Sequence, residues 1–241
     1  MNNPSTIPHK TFLERYSLYI FLSISALFIL ILLVDRPLYD AMVFEDGLAE
    51  WLTFGFLLIA GIVSLIIAIR IRLRYGYFHW FFLLFFGFNI LAGLEEISWG
   101  QRVFDMKTEG FFAKHSDQNE INLHNTMQGL IRVKTKHIAM LSLLCYGLLL
   151  PWLVAKGKVR SEWIRKNQLI LPPKFLKGGF ILGSVFILDF PSGREEEIGE
   201  MLYSICFVLM MLHNLYLLNT TGDFDPVLQE SKLNKIPSLS E

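Results

Sequence analysis

The sequence LAGLEEISWGQR, residues 91–102, places two adjacent carboxylates, Glu95 and Glu96, directly after a long uncharged and mostly apolar run. Carboxylates beside a region of low dielectric constant can act as general acids or bases, because their protonation responds strongly to burial and to neighbouring charges. They are also ligands for divalent metal ions. Either chemistry requires that the fold brings other polar side chains to the same place.

A histidine and a second carboxylate from distant parts of the chain are the candidate partners of this pair. Glu96, His124 and Glu200 are the predicted metal ligands, because three protein ligands and a water make a hydrolytic centre for a divalent metal such as zinc, manganese or iron. Glu95 or Glu50 would then be the base. The alternative needs no metal: a carboxylate, Glu95 or Glu96, activates water with His124 in support.

The same residue types are also compatible with a purely structural role. The sequence contains no HExxH, GxSxG or phosphate-binding glycine loop. The only indications of a reaction are therefore the types and positions of these residues. Acidic residues at a membrane surface are often solvated or salt-bridged, and a loop histidine is often only hydrogen-bonded. Whether the protein is an enzyme therefore stays open at this point.

The segments that must position these residues are apolar and long enough to span a membrane. The chain has 241 residues, of which 53% are hydrophobic and 18% charged, whereas soluble domains carry about 25% charged residues. A helix of about 20 residues crosses a hydrocarbon layer about 30 Å thick. We predict an all-α, polytopic membrane protein with six transmembrane helices, at about residues 16–34, 51–69, 75–94, 138–155, 175–190 and 201–222. Residues 1–15 and 223–241 are the predicted cytoplasmic tails.

The lysine and arginine residues predict the orientation of these helices. With the N-terminus in the cytoplasm, most of the 22 cations fall on the cytoplasmic side, as the positive-inside rule requires. Most of the 22 acidic residues then fall on the outer side. Both termini are therefore predicted to be cytoplasmic, and the candidate carboxylates and His124 are predicted to lie together at the outer face.

The spacing of polar residues predicts which side chains support the centre. Asn89, Gly93, Glu96 and Gly100 share one helix face, and small residues allow close helix packing in lipid, so we expect Glu96 to point into the bundle. Buried polar groups within a span need partners. The predicted supporting residues are Glu50, Trp99, Gln101, Arg102, Asn125, His213 and Asn214.

The long segment between the third and fourth spans, residues 101–136, is predicted to carry structure of its own. Its second half, NEINLHNTMQGLIRVK, places Leu123, Met127, Leu130 and Ile131 at helical spacing. This pattern predicts a short amphipathic helix on the outer surface. Such a helix would place His124 over the acidic residues as part of a lid.

Three motifs in order, EDGLAEWLT, GLEEISWGQRVF and NLHN, resemble a group of uncharacterised bacterial polytopic membrane proteins. The resemblance covers roughly residues 45–125 and implies a bacterial inner (plasma) membrane location, but no reaction. It marks Glu50, Glu95, Glu96, Trp99, Gln101, Arg102, His124 and Asn125.

A looser likeness is to the CAAX-type glutamate intramembrane proteases, which combine an EExxxR motif with later histidines. Here Glu95 and Glu96 are followed by Arg102, two positions later than that motif requires, and neither His124 nor His213 begins an HxxxN motif. The active site of that family also opens toward the cytoplasm, opposite to the predicted topology.

Two classes of function follow from these observations. The first is a metal- or carboxylate-dependent hydrolase or transferase that acts on a lipid or envelope substrate at the outer face. The alternative is a non-enzymatic membrane sensor, scaffold or complex subunit that binds a partner, in a homo- or hetero-oligomer, through its outer loops. A transporter is disfavoured because few polar residues lie inside the predicted spans, and nucleic-acid binding is disfavoured because topology explains the basic loop.

Overall fold

A computed structural model of the chain describes residues 12–44, 46–101, 104–108, 110–116, 121, 126 and 135–220. Most of both predicted tails and most of the predicted outer-surface helix lie outside these residues. The predicted site residues Arg102, His124 and Asn125 also lie outside the described residues.

The described residues form helices and connecting turns, with no strand among them. The helices are α1 (Phe12–Val34), α2 (Arg36–Val43), α3 (Leu48–Tyr75), α4 (Trp80–Glu96), α5 (Gly110–His115), α6 (Thr135–Ala155), α7 (Ser161–Lys166), α8 (Lys177–Phe186) and α9 (Glu196–Thr220). Helix α6 contains a π-helical segment, Cys145–Leu149, just before Pro151, whose missing N–H interrupts regular bonding. Short 3₁₀ turns occupy Ser98–Gly100 and Lys174–Leu176.

Four segments of the described chain are long and apolar enough to cross a membrane. They are α1, the segment Arg36–Tyr75 that contains α2 and α3, α6, and α9. The prediction of an all-helical chain rich in membrane-length apolar helices is therefore confirmed. The predicted number of six crossings is not confirmed.

The two remaining predicted spans form shorter helices than the sequence suggested. The predicted span 75–94 begins only at Trp80, because α3 continues through Tyr75 and ends at a left-handed Gly76, so α4 has 17 residues. The predicted span 175–190 contains α8, which has 10 residues and a length of about 15 Å. That length is about half of a hydrocarbon layer.

Helix α9 is the centre of the bundle. In the most apolar part of α9, 83% of the residues are buried, as expected for a helix that is apolar on all sides. It packs against α1, α3 and α8, and its Phe207 ring contacts Phe85 of α4 with ring centroids 5.3 Å apart. Arg70 near the end of α3 donates to the Asn219 Oδ1 near the end of α9 at 2.7 Å, and Glu50 near the start of α3 interacts electrostatically with Glu200 near the start of α9. The two helices therefore run parallel.

Glycines allow α8 to approach the central helix closely. A Cβ added at Gly199 would lie 2.7 Å from the carbonyl oxygen of Gly183, and one added at Gly179 would lie 2.4 Å from the Cys206 Sγ. Backbone therefore meets backbone between α8 and α9, the packing that small residues permit between apolar helices. This contact fixes the start of α9, where the candidate site lies.

Candidate functional site

Three carboxylates meet where α4 ends and α9 begins. Glu96 is the last residue of α4, and Glu197 and Glu200 lie in the first turns of α9. One carboxylate oxygen from each residue lies within 4.8 Å of the other two, and all three side chains are half-buried. We call Glu96, Glu197 and Glu200 the acidic cluster.

Helix geometry explains why these three side chains converge. Helices α4 and α9 pack together, since Phe85 and Phe88 of α4 both contact Phe207 of α9. They run antiparallel, so that the end of α4 meets the start of α9. Glu197 and Glu200 are three residues apart and therefore share a face. Asn89 and Gly93 of α4 are buried, which is the packing that their spacing with Glu96 predicts.

Glu95 is held apart from the cluster by the turn that follows α4. The indole Nε1 of Trp99 donates a hydrogen bond to the Glu95 Oε1 at 2.6 Å. This turn places Ser98 and Trp99 in the left-handed region, with φ of 44° and 57°, a conformation that costs free energy for residues other than glycine. The adjacent acids of the sequence therefore have different partners.

Glu50 of α3 lies at the edge of the acidic cluster. Its Oε2 accepts a hydrogen bond from the backbone N–H of Asp46 at 2.6 Å. Glu50 is close enough to both Glu96 and Glu200 to interact with them electrostatically. A fourth carboxylate, from a third helix, therefore adds negative charge to the same end of the bundle.

Lys136 joins the start of α6 to the start of α9. Its ammonium donates to the carboxylates of Asp189 and Glu196, and the Asp189 Oδ1 accepts the backbone N–H of Glu196 at 3.0 Å. Asp189 thus caps α9. Glu196 is therefore paired with an ammonium, although it remains close enough to Glu200 of the acidic cluster to interact with it electrostatically.

The loop before α9 is built around a buried carboxylate, Glu195, which is 1% exposed. Its oxygens accept the backbone N–H groups of Ser192 at 2.7 Å and Gly193 at 2.9 Å, and the hydroxyl of Tyr39 lies 3.4 Å away. Burial alone would raise the pKa of Glu195, but these hydrogen bonds outweigh it and lower the pKa below its ordinary value. Glu195 is therefore a charged structural group beside the cluster.

The other predicted supporting residues lie in different surroundings. Gln101 organises the loop after α4: its Nε2 donates to the Thr108 Oγ1 at 2.7 Å, and its Oε1 accepts the N–H of Ile121 at 2.7 Å. His213 and Asn214 are buried in α9, about 20 Å along the helix axis from Glu200. The structure does not bring those two residues to the cluster.

Two residues of this site went unnoticed in the sequence. Glu197 was not a candidate, although its spacing of three residues from Glu200 places both carboxylates on one helix face. Lys136 lies at the end of the long segment 101–136, and no local pattern in the sequence links it to Asp189. Pairings of that kind arise from the packing of distant helices.

The donor set of the acidic cluster indicates what it can bind. Carboxylates this close repel one another, and the repulsion is relieved either by shared protons or by a bound cation. The described donors are all oxygen atoms, which suit magnesium, manganese or calcium better than zinc. The zinc prediction depended on His124, which lies outside the described residues.

Comparison with protein-family models, with curated proteins and with solved structures finds no match. The resemblance carried by the EEISWGQR and NLHN motifs therefore stays a prediction. The geometry of the acidic cluster is the basis for a functional assignment.

Proposed function

We propose that this protein is a membrane-embedded hydrolase or transferase whose centre is the acidic cluster with a bound divalent cation. The observation that carries the proposal is the meeting of Glu96 with Glu197 and Glu200, within 4.8 Å of one another. Two helices far apart in the chain contribute these carboxylates: α4 ends and α9 begins at this level of the bundle.

Glu96, Glu197 and Glu200 would hold the cation, with one oxygen from each carboxylate. When bound, the cation would polarise a substrate oxygen and lower the pKa of a bound water. Glu50, which interacts electrostatically with Glu96 and Glu200, would be the base for such a water, and the backbone N–H of Asp46 orients its carboxylate. Lys136 places a positive charge near Glu200 and limits the net negative charge of the centre.

The substrate class follows from the position of the centre in the bundle. The cluster lies at the end of apolar helices, where a lipid or a lipid-linked envelope substrate can present a polar headgroup while its chains stay in the bilayer. An oxygen-only site that holds magnesium or manganese typically completes its coordination with phosphate oxygens. A phosphate-containing lipid substrate is therefore the chemistry that fits best.

The proposal includes the topology predicted from charge. Six apolar segments would lie in a bacterial inner membrane with both termini in the cytoplasm, and the acidic cluster would face the outer leaflet. The described acids cluster at one end of α3, α4 and α9, while Arg70, Arg72 and Arg74 lie at the opposite end of α3. This separation of charge supports the orientation.

A binding experiment tests the metal centre directly. The full chain is purified in mild detergent, stripped with a chelator and titrated with Mn²⁺, whose free fraction is followed by electron paramagnetic resonance. We expect saturable binding that weakens in Glu96→Gln and Glu200→Gln by more than the roughly tenfold loss that changes around metal ligands cause. Glu162→Gln, an exposed acid on α7, is the matched control and should bind like the wild type.

Absence of saturable binding by Mn²⁺, Mg²⁺ and Zn²⁺ would eliminate the metal centre, and equal weakening in Glu162→Gln would show that the ions bind non-specifically.

An experiment in cells distinguishes a catalytic function from a scaffolding function. Lipid and envelope composition should change when Glu96→Gln replaces the wild type at equal protein level. If composition is unchanged and Glu96→Gln still recovers the same partner proteins from the membrane, the non-enzymatic alternative of a scaffold or sensor is correct.

A further inference from the structure

The end of the bundle opposite the acidic cluster carries a basic segment, residues 156–177, which we call the basic platform. It contains seven lysine or arginine residues and a single acid, Glu162. It connects α6 to α8 and includes α7, whose Ile164 is buried while its Trp163 is 52% exposed. The proposed function does not use this segment.

The basic platform is fixed against the base of the helices. The Gln168 Oε1 accepts the backbone N–H of Trp80 at the start of α4, at 2.8 Å. The hydroxyl of Tyr146 in α6 donates to the Ile170 carbonyl at 2.6 Å, and the Ser17 hydroxyl of α1 donates to the Phe175 carbonyl at 3.1 Å. Contacts to three different helices hold the backbone that carries the cations in a defined position.

Four cations of the platform project from its surface. Lys156, Arg160, Arg165 and Lys166 are all exposed, and none of them forms an ion pair with any residue that the structure describes. Nearby cations of α3 behave differently, because Arg70 donates to Asn219 and Arg74 donates to the carbonyl of Leu218 at 3.1 Å. These four residues of the platform therefore present positive charge that no described acid neutralises.

Exposed aromatic side chains place this charge at the level of lipid headgroups. Trp80 is 64% exposed beside the platform, and Trp163 lies within it. The Lys158 ammonium stacks over the Trp152 ring, 5.5 Å from its centroid. Tryptophan prefers the boundary between hydrocarbon and water, and clustered lysine and arginine residues at that level attract anionic lipid phosphates.

We infer that the basic platform binds the phosphate headgroups of anionic phospholipids in the adjacent leaflet. The fixed backbone arranges several cations around one layer of phosphates, with the aromatic rings in the interface below them. Charge complementarity selects anionic over zwitterionic lipids. The inference is independent of the acidic cluster, which lies at the other end of the helices.

Native mass spectrometry tests the inference on the purified full chain. The protein is mixed with equal amounts of phosphatidylglycerol and phosphatidylcholine, and the bound lipids are counted. We expect preferential retention of phosphatidylglycerol, reduced by about threefold or more in Lys156→Gln/Lys166→Gln because each lost charge weakens the attraction. The matched control is Lys107→Gln/Lys114→Gln, two exposed lysines in the segment that follows α4.

The control pair and the charge-conserving pair Lys156→Arg/Lys166→Arg should both retain wild-type binding. If Lys156→Gln/Lys166→Gln does not fold, Arg160→Gln/Arg165→Gln is measured in its place. Equal retention of the two lipids, or equal loss in the control pair, would overturn the inference. Displacement of the lipid by glycerol phosphate at similar concentration, or retention of duplex DNA through the same cations, would also overturn it.

Discussion

The Tyr39 hydroxyl donates a hydrogen bond to the Glu195 Oε1, 3.4 Å away, and so joins α2 to the loop that starts α9. Replacing Glu195 with Gln puts an amide donor opposite the backbone N–H groups of this loop. We expect Glu195→Gln to lower the free energy of unfolding by about 1–3 kcal/mol near neutral pH, because buried donors lose their acceptor. Thermal unfolding in detergent measures this change.

The pH dependence of the same variant gives a second measurement. The pKa of Glu195 is lower in the folded chain than its ordinary value, so the carboxylate stabilises the fold above the unfolded pKa and loses this effect as pH falls through the folded pKa. The wild type should therefore lose stability below about pH 4, and Glu195→Gln should lose less. An identical acid profile in Glu195→Gln would contradict this role, and Glu162→Gln should match the wild type throughout.

The contact between α8 and α9 predicts opposite outcomes for two glycine substitutions. Gly199→Ala places a methyl group 2.7 Å from the Gly183 carbonyl oxygen, so the helices must separate, and we expect a loss of about 1–3 kcal/mol. Gly87→Ala, in α4, meets nothing within 4 Å and should be neutral or slightly stabilising, because alanine favours helix. Melting temperatures in detergent compare the two, and equal effects would show that α8 and α9 do not pack this closely.

Lys136 is expected to stabilise the junction of α6 and α9. Lys136→Met removes the only cation that the described residues place on both Asp189 and Glu196 and leaves two partly buried carboxylates beside each other. We expect a loss of about 1–3 kcal/mol, between the values for exposed and fully buried pairs. Lys136→Arg, which keeps the charge, should recover most of the stability in the same thermal measurement.

The sequence predicts the bundle well where apolar length alone decides the structure. The predicted spans 16–34 and 201–222 correspond to α1 and α9, because each is an unbroken apolar run of membrane length. Within residues 175–190 the helix is shorter than the sequence predicts, because it ends at Phe186 and a turn reaches a left-handed Asp189. The chain turns at Asp189, which caps α9 and pairs with Lys136. A hydropathy pattern does not predict such contacts.

The site is predictable only in part, for a related reason. Glu96 and Glu200 were candidates because each lies at the end of an apolar run, and the antiparallel packing of α4 and α9 brings them together. The separate environment of Glu95 depends on the left-handed turn at Trp99, which a sequence with tryptophan at that position does not suggest. Local backbone geometry therefore decides which of two adjacent acids enters the cluster.

The separation of charge between the two ends of the bundle predicts opposite exposure across the membrane. In a variant without native cysteines, Lys107→Cys lies in the segment that follows α4 and Lys156→Cys lies on the basic platform, and both positions are exposed. A membrane-impermeant thiol reagent applied to intact cells with an opened outer membrane should label only Lys107→Cys. Lys156→Cys should require permeabilised inner membranes, and the reverse pattern would invert the proposed topology.

The two adjacent acids at the end of α4 should respond differently to the same substitution. Glu96 contributes an oxygen to the acidic cluster, whereas the Glu95 carboxylate is bound by the Trp99 indole at 2.6 Å. Glu96→Gln should therefore weaken Mn²⁺ binding by more than about tenfold, while Glu95→Gln weakens it only by the few-fold effect of one nearby charge. Trp99→Phe, which removes the indole hydrogen bond to Glu95 without changing the charge of the carboxylate, should leave binding intact. If Glu95→Gln proves as damaging as Glu96→Gln, the cation is held by the pair of acids and not by the meeting of α4 with α9.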